Sequence, residues 1–153
     1  MKKIIIILFL VIASYANNIV KVVYDLTTGD VKTFEKKLLK GIVANKTYYE
    51  NNFQELEVAV IIHGSSYKFF INDIKNSAFK NDKKFVKSYN ELKKRVNSLA
   101  KIYDVKFYIC KVGLQTRHIK EENVMKFVKM VQNASIGLID KQNEGFAYLP
   151  IGD

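Results

Sequence analysis

The chain has 153 residues, one proline and a formal net charge of +10, from 25 lysines and arginines against 15 aspartates and glutamates. This length fits one domain with a sizeable core, and the apolar content of 48% argues against intrinsic disorder. The only arginines are Arg95 and Arg117 and the lysines are dispersed, so the charge favours a solvated basic surface over a nucleic-acid partner. One cysteine and two widely spaced histidines exclude an internal disulfide and give no metal signature, so no metal or cofactor is expected.

The first 16 residues have the pattern of an export signal. A short basic start precedes an unbroken apolar run at residues 4–12, which has signal-peptide length and is short for a transmembrane helix. Small side chains at Ser14 and Ala16 predict cleavage after Ala16, and the alternative is an uncleaved N-terminal anchor. We therefore expect a cleaved signal peptide at residues 1–16 and a single domain at residues 17–153. The mature protein is expected in the periplasm, with no stable membrane insertion.

Beyond this leader, β-branched apolar runs alternate with segments of helical periodicity. Strands are predicted at residues 18–26, 56–62, 105–109, 126–131 and 146–149. Helices are predicted at residues 31–45, from about residue 66, at 85–103 and at 135–143. Asp30 and Asp82 are suitable N-caps, and Gly145 suits the end of the last helix. Residues 76–84 and 113–120 are predicted to be polar or basic loops.

This alternation predicts the fold class. Strands that are apolar on both faces and alternate with helices are typical of a three-layer α/β/α sandwich, here with a mainly parallel sheet of about five strands. Ligands of such open sheets bind beyond the carboxyl ends of the strands. Residues that follow the predicted strands are therefore the candidates for a functional site.

The third predicted strand ends on the only cysteine, Cys110. A thiolate is a nucleophile, and the cations of Lys111, Arg117 and His118 are close enough in sequence to lower the pKa of the thiol. The alternative is that Cys110 is a small packed side chain, since cysteine is among the most buried residue types. The position at a strand end and the predicted export favour a functional thiol, because unpaired cysteines are unusual in oxidising compartments.

Other candidates follow the neighbouring strands. His63 is either a base for the thiol or a histidine that bonds to a backbone carbonyl, and Gly64 and Asn133 are expected at the same edge. A Ser–His–Asp arrangement of Ser65, His63 and Asp25 is conceivable, but the sequence has no G-x-S-x-G elbow. It also has no G-x-G-x-x-G or P-loop motif, which argues against a nucleotide site.

Four segments together resemble the DsrE/DsrF-like family. They are VKFYICKVGL at residues 105–114, FVKMV at 127–131, ASIGLIDKQNEGFAYLP at 134–150 and the strand that ends in His63-Gly64. Single-domain members of that family show a strand ending in cysteine, a loop, a further strand, and a helix reading L-x-x-L-Q-x-x-G before Y/F-A-Y. Their second strand reads V-V-x-H-G, and the resemblance covers nearly all of the predicted mature chain.

The resemblance implies a parallel α/β/α fold, assembly into trimers or hexamers, and a sulfur-carrying persulfide at Cys110. Lys111 departs from the small or polar residue that follows this cysteine in many relatives, and the export signal departs from the cytoplasmic relay members. The expected function is a periplasmic sulfur carrier that receives sulfur from a partner protein or a small sulfur species. The alternative is a non-catalytic oligomer of the same fold that binds a small ligand or another protein, with Cys110 as packing.

Overall fold

The computed structural model describes residues 19–153 and shows one five-stranded sheet in which every pairing is parallel. The strands are β1 (Ile19–Leu26), β2 (Glu55–Ile62), β3 (Lys106–Cys110), β4 (Lys129–Val131) and β5 (Ala147–Ile151). Their order across the sheet is β4-β3-β2-β1-β5. This arrangement confirms the predicted α/β fold with a parallel sheet, and it places β2 at the centre, between β3 and β1.

Helices connect the strands and cover both faces of the sheet. They are α1 (three continuous segments, Val31–Thr33, Phe34–Lys40 and Gly41–Asn51), α2 (Lys83–Lys101), α3 (Lys111–Thr116) and α4 (Ala134–Asn143). Two 3₁₀ turns lie at Ser66–Phe70 and Glu121–Asn123. The larger core lies between the sheet and α1 and α2, while a smaller one lies under α4. No helix within residues 19–153 is long and apolar enough to cross a membrane, and the predicted signal peptide lies outside the described residues.

The first helix extends beyond its predicted end at Asn45. It continues to Asn51, and its middle segment has π-helical geometry. The side-chain amide of Asn45 donates a hydrogen bond of 2.8 Å to the hydroxyl of Tyr24 on β1. The prediction was wrong because asparagine often ends helices by bonding to its own backbone, whereas here its partner comes from the neighbouring strand.

Three other segments differ from their predicted structure. The segment from Ser66 forms a short 3₁₀ turn, after which Ile71 makes an antiparallel bridge to Val124. β4 begins three residues later than predicted because the backbone turns at Met125, whose N–H bonds to the carbonyl of Phe70. Most importantly, the predicted basic loop at residues 113–120 begins as helix, since α3 starts directly after Cys110.

The N-cap of α2 offers a test of the packing. The Asp82 carboxylate accepts the Phe85 N–H at 3.1 Å and pairs with the buried Lys68 ammonium at 2.6 Å. The bond from Lys68, assisted by the helix N–H groups, holds the pKa of Asp82 below its ordinary value. The lowered pKa stabilises the fold at pH values above the unfolded pKa of about 4, and this contribution is lost as pH falls through the folded pKa.

Replacing Asp82 with asparagine keeps a cap oxygen but removes the charge that faces Lys68. We expect the free energy of unfolding at neutral pH to fall by roughly 1–2 kcal/mol. Asp82→Ala is expected to cost about 1 kcal/mol more because it also removes the cap. Urea denaturation across a pH series measures the free energy of unfolding of both variants. The loss caused by Asp82→Asn, relative to the unaltered chain, is expected to shrink at acidic pH. A deficit that stays constant with pH would show that the ion pair is not its source.

Candidate functional site

Cys110 lies at the carboxyl end of β3 and immediately precedes α3. The residue is only 6% exposed, and its backbone carbonyl accepts a hydrogen bond of 3.1 Å from the hydroxyl of Tyr67. Its strand lies between β2 and β4, with Cys110 itself paired to Val131. The thiol therefore stands at the predicted edge of the sheet, but beneath the surface.

Tyr67 is the side chain that links Cys110 to the basic segment after it. It is 1% exposed, and burial, with a smaller contribution from the neighbouring Cys110, raises the pKa of Tyr67 well above its ordinary value. The guanidinium of Arg117 stacks on the ring at 4.8 Å from the ring centroid. A Cβ atom at Gly113 would lie 1.7 Å from the hydroxyl oxygen, so the Tyr67 ring fits against α3 only because Gly113 has no side chain.

Of the predicted supporting residues, Lys111 and Asn133 each have a partner in the structure. The ammonium of Lys111 lies 3.1 Å from the carboxylate of Glu121, so its charge is paired. The side chain of Asn133 accepts the Ile136 N–H at 2.8 Å and caps α4. Asn133 therefore orients a helix at the edge of the sheet through a bond within that helix.

His63 belongs to a second cluster at the same edge. Its Nε2 lies 2.5 Å from one oxygen of Asp25, and the other oxygen accepts the Tyr148 hydroxyl at 2.6 Å. His63 follows β2, Asp25 is the last residue but one of β1, and Tyr148 is the second residue of β5, and these three strands are neighbours in the sheet. The Asp25 and His63 side chains are 14% and 28% exposed, so the cluster is open to small molecules. A carboxylate bound to Nε2 orients the imidazole and leaves Nδ1 available for proton transfer.

Gly64 shapes the turn that places His63. Its φ is +63°, a conformation that favours glycine, and a Cβ atom there would lie 2.9 Å from the carbonyl oxygen of Thr27. Within residues 19–153, no hydrogen bond joins the Ser65 side chain to His63, although Asp25 and His63 do meet. The conceivable Ser–His–Asp arrangement therefore has its last two members together and lacks the bond to the first.

The register between β2 and β3 relates the position of His63 to that of Cys110. Ile62 of β2 pairs with Ile109 of β3, so His63 and Cys110 follow at the ends of adjacent strands. Strands in a sheet lie about 4.8 Å apart. The backbones of His63 and Cys110 therefore lie next to each other, while Cys110 itself packs in the larger core between the sheet and α1 and α2. No group of three or more metal-ligating side chains lies together in the described part of the chain.

A cavity of about 500 Å³ is linked to Cys110 through two side chains, because Arg117 in its lining lies over the Tyr67 ring and Tyr67 bonds to the Cys110 carbonyl. One wall is the loop after the first 3₁₀ turn, and the other is the segment that follows α3. Arg117 and His118 belong to the second wall, with His118 at a φ of +52°. Arg117 is thus shared between the cavity and the Tyr67 ring.

Three residues at the site were not identified as candidates from the sequence, namely Tyr67, Gly113 and Tyr148. Tyr67 lies in the segment predicted as a helix from about residue 66, where a tyrosine carries no signal for a partner more than 40 residues away. Gly113 was assigned to a loop, in which glycine is unremarkable as a residue type. Tyr148 was present in the Y/F-A-Y motif, but only the adjacency of β1 and β5 shows that it bonds to Asp25.

The Tyr148–Asp25 bond leads to a measurable titration. The hydrogen bond from the Tyr148 hydroxyl to the Asp25 carboxylate raises the pKa of Tyr148, since a phenolate beside a carboxylate is unfavourable. The contribution of this bond to the free energy of unfolding is complete below the unfolded tyrosine pKa of about 10. It is lost as pH rises through the folded pKa of Tyr148. In Asp25→Asn we expect the Tyr148 pKa to fall towards its ordinary value, as followed by NMR of ring-labelled tyrosine with Tyr148→Phe for assignment.

Tyr24 provides the control for this titration. Burial is the largest cause of its raised pKa, and its hydroxyl accepts from Asn45 rather than bonding to Asp25. The titration of Tyr24 should be the same in the unaltered chain and in Asp25→Asn. An unchanged Tyr148 titration in Asp25→Asn would contradict the described network.

Comparison with known proteins agrees with this architecture. An uncharacterized protein of Aquifex aeolicus (strain VF5) is 29% identical over 151 residues, which cover 98% of this chain and 64% of that protein. The chain thus spans slightly less than two thirds of the length of this relative. A solved structure of a protein of unknown function from Methanobacterium thermoautotrophicum matches with a TM-score of 0.54 and 16% identity, over 86% of this chain and 98% of that one. That likeness supports the fold alone. The sequence profile of the DsrE/DsrF-like family matches residues 21–151, and the chain belongs to this family.

Proposed function

We propose that this protein is a sulfur carrier that holds one sulfane sulfur atom as a persulfide on Cys110. The DsrE/DsrF-like family is linked to sulfur relay. The observation that carries the proposal is the position of Cys110, the only cysteine, at the carboxyl end of β3 beside the strand that ends at His63. Ligands of parallel α/β sheets meet their reactive side chains at this edge.

The proposed chemistry needs a thiolate, a proton acceptor and a sulfane-sulfur donor. The Cys110 thiolate attacks the outer sulfur of a donor persulfide R–S–SH, forming the bond in Cys110–S–SH and releasing R–S⁻. The proton of the Cys110 thiol passes to the imidazole of His63 and then to the leaving thiolate, so no net oxidation occurs. Asp25 would hold the imidazole in position, because its carboxylate is bound at Nε2.

The burial of Cys110 suits storage of a labile sulfur atom. A persulfide at a 6% exposed position is sheltered from solvent and from oxidants in bulk solution. The same burial requires a local opening for loading and release. The segment that contains Tyr67 is the nearest candidate for that opening, because a 3₁₀ turn and one hydrogen bond, rather than a strand, join it to Cys110.

Intact-mass analysis after incubation with polysulfide tests the proposal. We expect one added sulfur atom per chain, removable by a thiol reductant. A chain that acquires no sulfur under conditions where it remains folded would contradict the proposed function.

The second candidate is a non-catalytic oligomer that binds a ligand or another protein, and two observations favour it. Cys110 is buried like a packing residue, and α4 and β5 expose large apolar side chains, namely Ile136, Ile139, Tyr148 and Leu149. Such a surface suits contact between copies of the chain. Light scattering on the purified protein tests for a trimer or hexamer, and a thiol that reacts with iodoacetamide only after unfolding would favour this candidate over the carrier.

We further propose that the protein works in the periplasm, on the basis of the leader pattern at residues 1–16. Cell fractionation and N-terminal sequencing of the mature protein test this, with Asn17 as the expected first residue. A protein that retains its leader in the cytoplasmic fraction would contradict both cleavage and export.

A further inference from the structure

The cavity of about 500 Å³ that includes Arg117 in its lining has walls that are fixed before any ligand binds. The side chain of Asn123 accepts the backbone N–H groups of Asn72 and Asp73 at 3.1 and 2.6 Å, and it donates to the carbonyl of Asp73 at 3.2 Å. The bridge between Ile71 and Val124 joins the same two segments. These bonds hold one end of the cavity in place, which lowers the entropic cost of binding.

Both signs of charge face this cavity. Arg117, His118 and Lys120 lie along one side, and Asp73 and Glu122 also contribute to the lining, with the Asp73 carboxylate accepting bonds from Lys75 and Asn76. Lys120 is 3.7 Å from Glu122, whereas Arg117 stacks on Tyr67 and bonds only weakly, at 3.4 Å, to the Gly113 carbonyl. The planar guanidinium therefore has N–H groups to offer a carboxylate.

Size and charge together indicate the class of ligand. Small-molecule sites usually enclose about 300–1,000 Å³, so this cavity suits an organic molecule rather than a bare inorganic anion. A ligand with carboxylates and an ammonium group would match the cationic and the acidic parts of the lining. Amino-acid thiols and short peptide thiols have this combination.

We propose that this cavity binds a carboxylate-bearing, low-molecular-weight persulfide of the amino-acid or short-peptide type as the sulfur donor of Cys110. The proposal rests on the proposed carrier function and names its substrate class. Arg117 connects the two places, because its guanidinium stacks on Tyr67 and the Tyr67 hydroxyl bonds to the Cys110 carbonyl. The transfer follows the balanced step above: the outer sulfur moves to Cys110, and the donor leaves as a thiol with the Cys110 proton.

The test measures binding separately from sulfur transfer. The full chain with Cys110→Ser cannot accept sulfur, so calorimetric titration with reduced glutathione reports the cavity alone. We expect saturable binding that weakens about tenfold in Arg117→Gln, the loss of one charge-assisted contact. Arg95→Gln is the matched control, since Arg95 is the other arginine and pairs with Glu35 at 2.8 Å away from the lining.

A second variant, His118→Asn, keeps the test valid if Arg117→Gln fails to fold. His118→Asn removes the imidazole but tolerates the left-handed conformation at this position, and it is also expected to weaken glutathione binding. Absence of saturable binding, or equal affinity in the Arg117, His118 and Arg95 variants, would overturn the proposal. Equal competition by inorganic sulfate would also overturn it, because the site would then recognise a bare anion.

The two proposals fail in different ways. If the unaltered chain takes sulfur from polysulfide but glutathione does not bind, the carrier function stands and the assigned donor class is wrong. If glutathione binds through Arg117 but Cys110 never acquires sulfur, the carrier function is wrong and the cavity belongs to a ligand-binding protein, so the assignment of a donor falls with it.

Discussion

Replacing Cys110 with serine is expected to abolish the sulfur adduct completely, because the chain has no other thiol that could hold a sulfane sulfur. The measurement is intact-mass analysis of both proteins after the same exposure to polysulfide. A hydroxyl at this buried position costs stability of its own, on the order of 1–3 kcal/mol. Cys110→Ala avoids a buried hydroxyl, and the same loss of adduct in both variants would show that the sulfur atom itself is required.

Val112→Ser is the matched control for that experiment. Val112 is two residues from Cys110 and 48% exposed, so serine there changes the local sequence without entering the core. This variant should acquire sulfur as the unaltered chain does. Persistence of the adduct in Cys110→Ser would mean that the added sulfur is bound non-covalently or on another group, and it would contradict the carrier mechanism.

Replacing Gly113 with alanine is expected to destabilise the protein, although the same change usually stabilises a helix. Alanine is favoured over glycine by up to about 1 kcal/mol within a helix. At this position the new Cβ atom would lie 1.7 Å from the Tyr67 hydroxyl oxygen and 2.5 Å from the adjacent ring carbon. Tyr67 is buried and cannot move aside freely, so we expect a net loss of roughly 1–3 kcal/mol in the free energy of unfolding.

Gly41→Ala shows what the substitution does without the clash. Gly41 begins the last segment of α1, and a Cβ atom there would meet only the Lys36 carbonyl oxygen at 3.7 Å, an ordinary contact. Urea denaturation of the two variants should therefore give changes of opposite sign. Gly113→Ala should also alter the alkylation rate of Cys110, since the Tyr67 hydroxyl that bonds at Cys110 is displaced. A Gly113 variant as stable as the Gly41 variant would contradict this packing.

Much of the architecture was predictable because it depends on local pattern. The apolar runs of β1, β2 and β3 and the spacing of apolar residues in α2 identify their elements without knowledge of their neighbours. The caps are local too: Asp30 and Asp82 each accept a backbone N–H three residues ahead, as predicted. Gly145 ends α4 with a φ of +88°, a conformation that favours glycine.

Errors arose where a distant partner changed the preference of a local segment. Asn45 lies within α1 because Tyr24 supplies its hydrogen-bond partner. For Lys111 the structure adds a partner that the sequence did not indicate, since its ammonium lies 3.1 Å from the carboxylate of Glu121. Neither partner is visible in a window of a few residues, so propensity and spacing could not identify them.

The sequence alone therefore determined the parallel α/β class, the placement of Cys110 and His63 at one edge of the sheet, and the family resemblance, since these depend on periodicity and short motifs. Only the tertiary structure decided what surrounds these residues. The order β2-β1-β5 brings Tyr148 to Asp25 and His63 across more than 80 residues of chain. Packing against α3 likewise brings Tyr67 to Cys110 and Arg117. Such contacts depend on strand order and on the fit of side chains between elements, which local pattern does not encode.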